Sequence, residues 1–274
     1  MHLSVIISTY NSPAWLEKVL WGYSGQTHRD FELIIADDGS DERTAQLLER
    51  MRGETGLNIR HVWQEDKGFR KCRILNKAIL QAQYDYLIFT DGDCIPRKDF
   101  LQVHHDEARP GHYLSGGYFK LPMDTSHAIG KDDILSGRCF DTAWLRRHGL
   151  GLWRKHYKIS LGPTAARLMN RLTTTKCNLK GSNASVWKAD ALKVNGFDER
   201  MPWGSEDREF GVRLINSGII PKHVRFDAIV IHLDHSRTYV DPERVKANRE
   251  LRIANEKNKV TTTDFGIQQL GDED

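Results

Sequence analysis

Short apolar runs alternate with amphipathic segments along the first third of the chain. The runs at residues 3–8, 31–36 and 84–89 are rich in branched and aromatic side chains and end in polar residues, which predicts buried strands. Between them, apolar residues recur at helical spacing, and the pattern predicts helices opening at Ser12 and over residues 42–52. Alternating strands and helices predict an α/β fold with a mostly parallel central sheet flanked by helices.

Two acidic motifs come directly after predicted strands. Asp37 and Asp38 follow one run, and Asp91 and Asp93 follow another. Because ligands of parallel sheets gather beyond the carboxyl ends of the strands, we expect these acids at one edge of the sheet. Asp-X-Asp suits a divalent cation that carries phosphate oxygens, although acids in such turns also serve as helix N-caps or as solvated loops.

The composition is that of an ordinary folded protein and does not oppose an enzyme. The chain has 274 residues, 39% of them hydrophobic and 28% charged, and its formal net charge of +3 is too small to indicate a nucleic-acid partner. Its four cysteines are scattered without a Cys-x-x-Cys pair, which favours a reducing compartment over a zinc cluster or a disulfide framework. We expect a cytoplasmic protein, because no leader or membrane-spanning run is present, with any membrane contact being peripheral.

A basic segment at residues 67–73 lies between the two acidic motifs and begins a predicted helix. Cations at a helix N-terminus suit a diphosphate group. Arg70 and Arg73 are therefore candidates for contacts to the phosphates or to the base, while the alternative is a solvated helix face.

These motifs, in this order, resemble the family 2 glycosyltransferases of the GT-A fold. Residues 4–11 resemble the family's opening strand and loop, residues 37–40 its second nucleotide contact, and residues 90–93 its metal motif. The resemblance implies a UDP-sugar donor, and a carboxylate such as that of Asp38 can accept the imide N–H of uracil. The implied contacts to the nucleotide sugar come from Ser8, Thr9, Tyr10, Asn11, Asp37, Asp38, Arg70, Arg73, Asp91 and Gly92.

The second half resembles the carboxyl-terminal half of β-1,4-galactosyltransferases and of related bacterial chain-building enzymes. The motifs that carry this resemblance are residues 180–185, 196–199 and 203–210. It implies that Asp207 is the general base and Glu206 its neighbour beside the sugars, in a direct displacement that inverts the anomeric centre. It also implies acceptor contacts from Asn183, Trp203 and Gly204. The plainer alternative is a helix whose first-turn acids complement its dipole.

Two histidines follow an apolar run near the end of this half. In the galactosyltransferases a histidine corresponding to His235 is a metal ligand, and His232 stands where they carry a thioether. The resemblance therefore implies a metal site of Asp93, His232 and His235, and imidazole ligands favour Mn²⁺ over Mg²⁺.

These inferences divide the chain into a nucleotide-sugar half at residues 1–120, an acceptor and catalytic half at 121–240, and a charged helical tail at 241–274. Residues 123–175 mix aromatics with cations and could bind acceptor, rest on anionic lipid, or simply pack as helices. We expect transfer of a hexose or N-acetylhexosamine, galactose type first, to an oligosaccharide or lipid-linked glycan in bacterial polysaccharide or lipopolysaccharide synthesis. The alternatives are a sugar nucleotidyltransferase, whose glycine-rich basic loop is missing at residues 8–13, and a catalytically silent carbohydrate-binding protein.

Overall fold

One eight-stranded mixed sheet forms the centre of the protein in the computed structural model, which describes residues 1–151, 157–236 and 240–271. The strand order is β3-β2-β1-β4-β7-β6-β8-β5. The strands are β1 (Leu3–Thr9), β2 (Phe31–Asp37), β3 (Ile59–Trp63), β4 (Tyr86–Asp91), β5 (Cys94–Pro96), β6 (His112–Lys120), β7 (Ala184–Trp187) and β8 (Ile220–His232).

Helices cover both faces of this sheet, and two short 3₁₀ turns (Arg138–Phe140 and Ile267–Gln269) accompany them. The helices are α1 (Pro13–Ser24), α2 (Glu42–Thr55), α3 (Lys71–Gln81), α4 (Phe100–Glu107), α5 (Met123–Ala128), α6 (Lys131–Leu135), α7 (Thr142–Arg147), α8 (Tyr157–Ser160), α9 (Pro163–Leu172), α10 (Lys188–Lys193), α11 (Glu206–Asn216) and α12 (Pro242–Lys257). None of the described helices combines the length and the apolar character that crossing a bilayer requires.

The predicted α/β fold is confirmed, and the parallel pairing holds where strand and helix alternate. Strands β3, β2, β1 and β4 are all parallel, whereas β7 runs antiparallel to both β4 and β6. The second half therefore makes the sheet mixed. Alternate residues of β1 pack into hydrophobic clusters on opposite faces, Val5 and Ile7 in one and Ile6 in the other, so both faces of the sheet are buried.

Strand register brings the polar ends of the strands to one edge. Thr9 pairs with Asp37 and Ser8 pairs with Asp91 across the parallel strands. At the far side of the sheet, β5 runs antiparallel to β8 and pairs Cys94 with His232. This pairing carries the histidine segment to the acidic motif that precedes β5.

The described residues of the segment 123–175 form short helices, with Trp144, Leu145 and Ile159 buried. Residues 152–156, which include the cations Arg154 and Lys155 of this segment, lie outside the described residues. Helix α12 is also more than a solvated tail. Its buried Asn248 donates through Nδ2 to the carbonyls of Pro202 (2.8 Å) and Gly204 (2.9 Å) and so supports the loop before α11.

Candidate active site

A cleft of about 460 Å³ opens at the carboxyl edge of the sheet, where β1, β2 and β4 end. Its lining combines the strand-end motifs of the first half with the histidines and a tryptophan of the second. The predicted site residues in its wall are Ser8, Thr9, Tyr10, Asp38, Asp91, Gly92, Asp93, Trp203, His232 and His235.

Carboxylates and imidazoles meet at one end of this cleft. Nε2 of His235 lies 3.1 Å from Oδ2 of Asp93, and Nδ1 of His232 lies 3.9 Å from the same oxygen. Ligand atoms of Asp91, Asp93, Cys94 and His232 all fall within 4.8 Å of one another. Nδ1 of His235 lies 2.8 Å from the backbone oxygen of Ser236, and the tautomer that donates there carries its lone pair on Nε2, the nitrogen next to Asp93.

This donor set fits a divalent ion with oxygen and nitrogen preferences. Cys94 is a poor candidate for a metal ligand, because burial raises the pKa of its thiol well above the usual value and so disfavours the thiolate. Its Sγ instead donates to Oδ1 of Asp93 at 3.4 Å. The carboxylate of Asp93 and the imidazoles of His232 and His235 are the residues that could hold such an ion, with Asp91 beside them.

Lys71, in the first turn of α3, is the functional residue that motif reasoning missed. Its Nζ lies 2.6 Å from Oδ1 of Asp91, which also accepts a hydrogen bond from Ser8 Oγ at 2.8 Å. Burial disfavours its ammonium, but the carboxylates of Asp91, Glu206 and Asp207 raise the pKa of Lys71 well above its ordinary value. The signal was in the sequence, because Lys71 precedes the buried Leu75 and Ala78 by four and seven positions and so shares their helix face.

The two predicted catalytic acids lie in the first turn of helix α11, where the plainer alternative also places them. Oδ2 of Asp207 accepts the N–H of Gly181 at 3.0 Å, and Oε2 of Glu206 accepts the N–H of Gly204 at 2.7 Å. Burial raises the pKa of Glu206, helped by the neighbouring charge of Asp207, to about 7. Burial also raises the pKa of Asp207. Glu206 is thus poised to exchange a proton near neutral pH.

Asp38, directly after β2, also lines the cleft. It accepts from Gln64 Nε2 at 2.6 Å and from the Arg70 N–H at 2.8 Å, and burial raises its pKa. Thr9 lines the same wall, and its buried Oγ1 has no hydrogen-bond partner among the described residues. A Cβ at position 92 would lie 3.1 Å from this oxygen, so Gly92 keeps the wall open.

Four predicted nucleotide contacts instead hold the surrounding loops. Asp37 is fully buried and accepts from the Ser40 N–H and from His61 Nε2, both at 2.8 Å. The side chain of Arg70 donates to the backbone oxygen of Glu65, Arg73 pairs with Glu199 at 3.0 Å, and Asn11 accepts from the Asp41 N–H. None of these four side chains is in the described wall of the cleft.

Two predicted acceptor contacts also have structural roles. Asn183 is fully buried, and its Nδ2 donates to the carbonyls of Gly117 (2.8 Å) and Ala228 (3.0 Å), so its amide serves the core rather than a sugar. Gly204 adopts φ +107°, in the left-handed region that favours glycine, and its backbone N–H donates to Glu206. Trp203 does line the cleft.

Comparison with known proteins agrees with this geometry. The sequence model of glycosyl transferase family 2 matches residues 4–169, more than half of the chain, and that of the N-terminal domain of galactosyltransferase matches residues 169–236. The chain is 29% identical to validoxylamine A glucosyltransferase of Streptomyces hygroscopicus subsp. jinggangensis over 86% of its own length and 56% of that protein's. It is 28% identical to chondroitin synthase of Escherichia coli over 79% of its length and 32% of that protein's. The chain thus spans about half or less of these curated relatives.

Solved structures share the fold. Residues 1–349 of Staphylococcus aureus TarS, in complex with UDP-GlcNAc, superpose with a TM-score of 0.63 at 17% identity, covering 94% of this chain and 69% of that one. The mannosyltransferase PcManGT of Pyrobaculum calidifontis, in complex with GDP-Man and Mn²⁺, gives a TM-score of 0.62 at 17% identity, covering 94% and 63%. The chain belongs to glycosyl transferase family 2 and has the GT-A fold.

Proposed function

We propose that the protein transfers a hexose or N-acetylhexosamine, galactose type first, from a UDP-sugar to a glycan acceptor with inversion at the anomeric carbon. The observation that carries this proposal is that a cation-binding cluster (Asp93, His232 and His235) lines the cleft together with Lys71, whose ammonium lies in the electrostatic field of two acids, the buried Glu206 and the half-buried Asp207. Lys71 lies between the two groups, bonded to Asp91 and within the field of both acids.

Donor binding begins at the uracil end of the cleft. Asp38 has each carboxylate oxygen partly occupied, which orients it, and its remaining lone pairs can accept the imide N–H of uracil. Tyr10 is 49% exposed at the rim and is held by Asp66 at 2.8 Å, so its ring can cover the base. The ribose and diphosphate would then extend past Thr9 and Asp91 towards the cation-binding cluster.

Asp93, His232 and His235 would hold a divalent ion, Mn²⁺ more readily than Mg²⁺ because two of the three ligands are imidazoles. Such an ion supplies positive charge against the diphosphate as it leaves. The ammonium of Lys71, kept charged by Asp91, Glu206 and Asp207, adds a fixed positive charge at the same end of the cleft.

Asp207 is the general base of this proposal. Backbone N–H groups of Gly181 and Arg208 hold its two oxygens in place, and a carboxylate so oriented can take the proton of an acceptor hydroxyl. Glu206, with its pKa near 7, can hold a proton at neutral pH and donate it as a hydrogen bond to a sugar oxygen. Direct attack by that hydroxyl needs no covalent intermediate, so an α-linked donor gives a β-linked product.

The relatives support the substrate classes. TarS is named a poly(ribitol-phosphate) β-N-acetylglucosaminyltransferase and was solved with UDP-GlcNAc, and the relative from Escherichia coli is a chondroitin synthase. By this analogy the acceptor is an oligosaccharide or lipid-linked glycan of a bacterial surface polysaccharide or lipopolysaccharide. The reaction would take place in the cytoplasm or at the inner face of its membrane.

The decisive experiment is calorimetric titration of UDP-galactose, UDP-N-acetylgalactosamine, UDP-glucose and UDP-GlcNAc in Mn²⁺, repeated with chelator. We expect one of these donors to bind in Mn²⁺, and chelator or Asp93→Ala to weaken that binding at least about tenfold, because a charge-assisted contact to the diphosphate is lost. Asp124→Ala, which removes an exposed carboxylate from the first turn of α5, is the matched control and should bind like the native protein. Equal affinity with and without chelator would refute the metal assignment, and no binding of any UDP-sugar would refute the function.

A further inference from the structure

A break in strand register lies beside the cleft, between β6 and β8. Gly116 pairs with Val224 but its neighbour Gly117 pairs with Ile229, so residues 225–228 bulge out of β8. Asn183 ties the two sides of this bulge together by donating to the carbonyls of Gly117 and Ala228. Bulges of this kind redirect side chains, and the first residue of this one is Arg225.

Lys180 meets the same bulge from the loop before β7. Its Nζ donates to the carbonyl of Gly116 at 3.2 Å and lies 5.8 Å from the ring centroid of Tyr118. Burial, followed by the positive charges of Arg225 and Lys158, lowers the pKa of Lys180 to about 8. The bulge therefore holds two half-buried cations, Lys180 and Arg225, close enough to repel each other.

No carboxylate among the described residues forms an ion pair with either cation. The contacts of Arg225 include the ring of Phe226, at 5.2 Å from the guanidinium carbon, and those of Lys180 are the carbonyl and ring above. Asp207 acts on Lys180 only through its field, as the weakest of the charges that affect this lysine. Placing like charges together without an ion-paired acid costs stability, and such an arrangement is typical of a site that awaits an anion.

The cation pair lies near both the proposed base and the proposed metal ligands. The N–H of Gly181, next to Lys180 in the chain, donates to Oδ2 of the proposed base Asp207 at 3.0 Å. On the other side, the Tyr118 ring lies 5.8 Å from the ring of His232 in the cation-binding cluster. The pair thus lies next to both the base and the metal ligands, where the attacking sugar must approach.

We propose that Lys180 and Arg225 bind an anionic group, a carboxylate or a phosphate, of the glycan acceptor next to the hydroxyl that Asp207 deprotonates. This inference rests on the proposed function and adds the class of acceptor to it. A carboxylate or phosphate accepts charge-assisted hydrogen bonds from both cations, and the exposed ring of Tyr118 offers an apolar face to the sugar. A neutral acceptor would leave the two cations uncompensated.

Matched acceptors test this proposal directly. Transfer would be measured in Mn²⁺, with the UDP-sugar selected by calorimetry, to an oligosaccharide ending in a hexuronic acid, to its carboxyl-reduced neutral counterpart, and to a polyol-phosphate oligomer. We expect kcat/KM for at least one anionic acceptor to exceed that of the neutral one by about tenfold or more, the scale of one charge-assisted hydrogen bond. The carboxylate and phosphate arms distinguish the two sources of negative charge.

Variants identify the residues responsible. Lys180→Met and Arg225→Met should each reduce the ratio of kcat/KM for the anionic over the neutral acceptor at least about tenfold, through KM, while Lys180→Arg should retain most of it. Lys176→Met removes an exposed lysine that pairs with Glu256 and should leave the ratio unchanged. An unchanged ratio in both folded variants, or a native preference for the neutral acceptor, would overturn the inference and leave the proposed function standing. Failure of every UDP-sugar to bind would overturn both.

Discussion

Replacing Glu206 by glutamine tests the electrostatics of the active site without depending on the identity of the substrate. Glu206 is buried, with 9% of the residue exposed, and its Oε2 accepts a backbone hydrogen bond from Gly204 at 2.7 Å. The amide oxygen of glutamine can accept the same bond, so Glu206→Gln keeps the shape and the turn. The substitution removes a carboxyl group whose ionised form is disfavoured by burial and by the charge of the neighbouring Asp207.

The expected magnitude follows from the two pKa values of this group. The pKa of Glu206 is about 7 in the folded protein and 4.5 when the group is unperturbed, as in the unfolded chain. Between about pH 4.5 and about pH 7 the folded protein therefore binds more protons than the unfolded chain. The native protein should therefore lose stability as pH rises from about 4.5 to about 7, by at most about 3 kcal/mol at 1.36 kcal/mol per pKa unit. Above about pH 7 the full loss of stability is present, and below about pH 4.5 the ionisation of Glu206 no longer affects stability.

Urea unfolding of the metal-free protein at several pH values between 4.5 and 7.5 measures this effect. The unfolding free energy of Glu206→Gln minus that of the native protein should increase by up to about 3 kcal/mol as the pH rises across this range, since the variant has no carboxyl group to ionise at this position. Glu243→Gln, at an exposed position in the first turn of α12, is the control and should follow the native curve. Parallel curves for Glu206→Gln and native would show that Glu206 titrates normally and would refute the reasoning.

Three further outcomes are expected. Asp207→Asn should reduce turnover at least about a hundredfold while leaving UDP-sugar affinity within about threefold, and Asp190→Asn should change neither; steady-state kinetics with donor titration decides, and native turnover would exclude Asp207 as the base. Arg213→Met should lower the unfolding free energy measured in urea by about 3–5 kcal/mol. The reason is that Arg213 donates to the fully buried carboxylate of Glu209 at 2.7 and 2.8 Å, and the substitution leaves this carboxylate without its charged partner. The double change to methionine at both positions should recover most of that loss, and no recovery would show that the cost comes from packing. Lys71→Met should weaken UDP binding, measured by calorimetry, by about tenfold, and unchanged binding would remove Lys71 from the donor site.

Much of the fold and of the site was determined by the sequence alone. Continuous apolar runs and period-3.6 patterns predict β1, β2, β4 and the helices between them, because a sheet buried on both faces requires apolar strands and one-sided helices. The acids were predictable at the strand ends, because parallel strands expose their carboxyl ends at one edge. Family resemblance added Asp93, His232 and His235, which the structure indeed brings together.

Tertiary structure alone decided which polar side chains face the cleft. Asp37 and Asp38 are neighbours in a polar turn, yet one bonds to Ser40 and His61 in the interior while the other lines the cleft, because adjacent residues point to opposite sides of the backbone. Asn183 likewise lies in a motif typical of acceptor binding but satisfies carbonyls of the core. The pairing of Cys94 with His232 and the bulge that presents Arg225 are long-range contacts between β5, β6 and β8. Local patterns report which face of an element is apolar, whereas the partner of a polar side chain depends on segments far away in the chain.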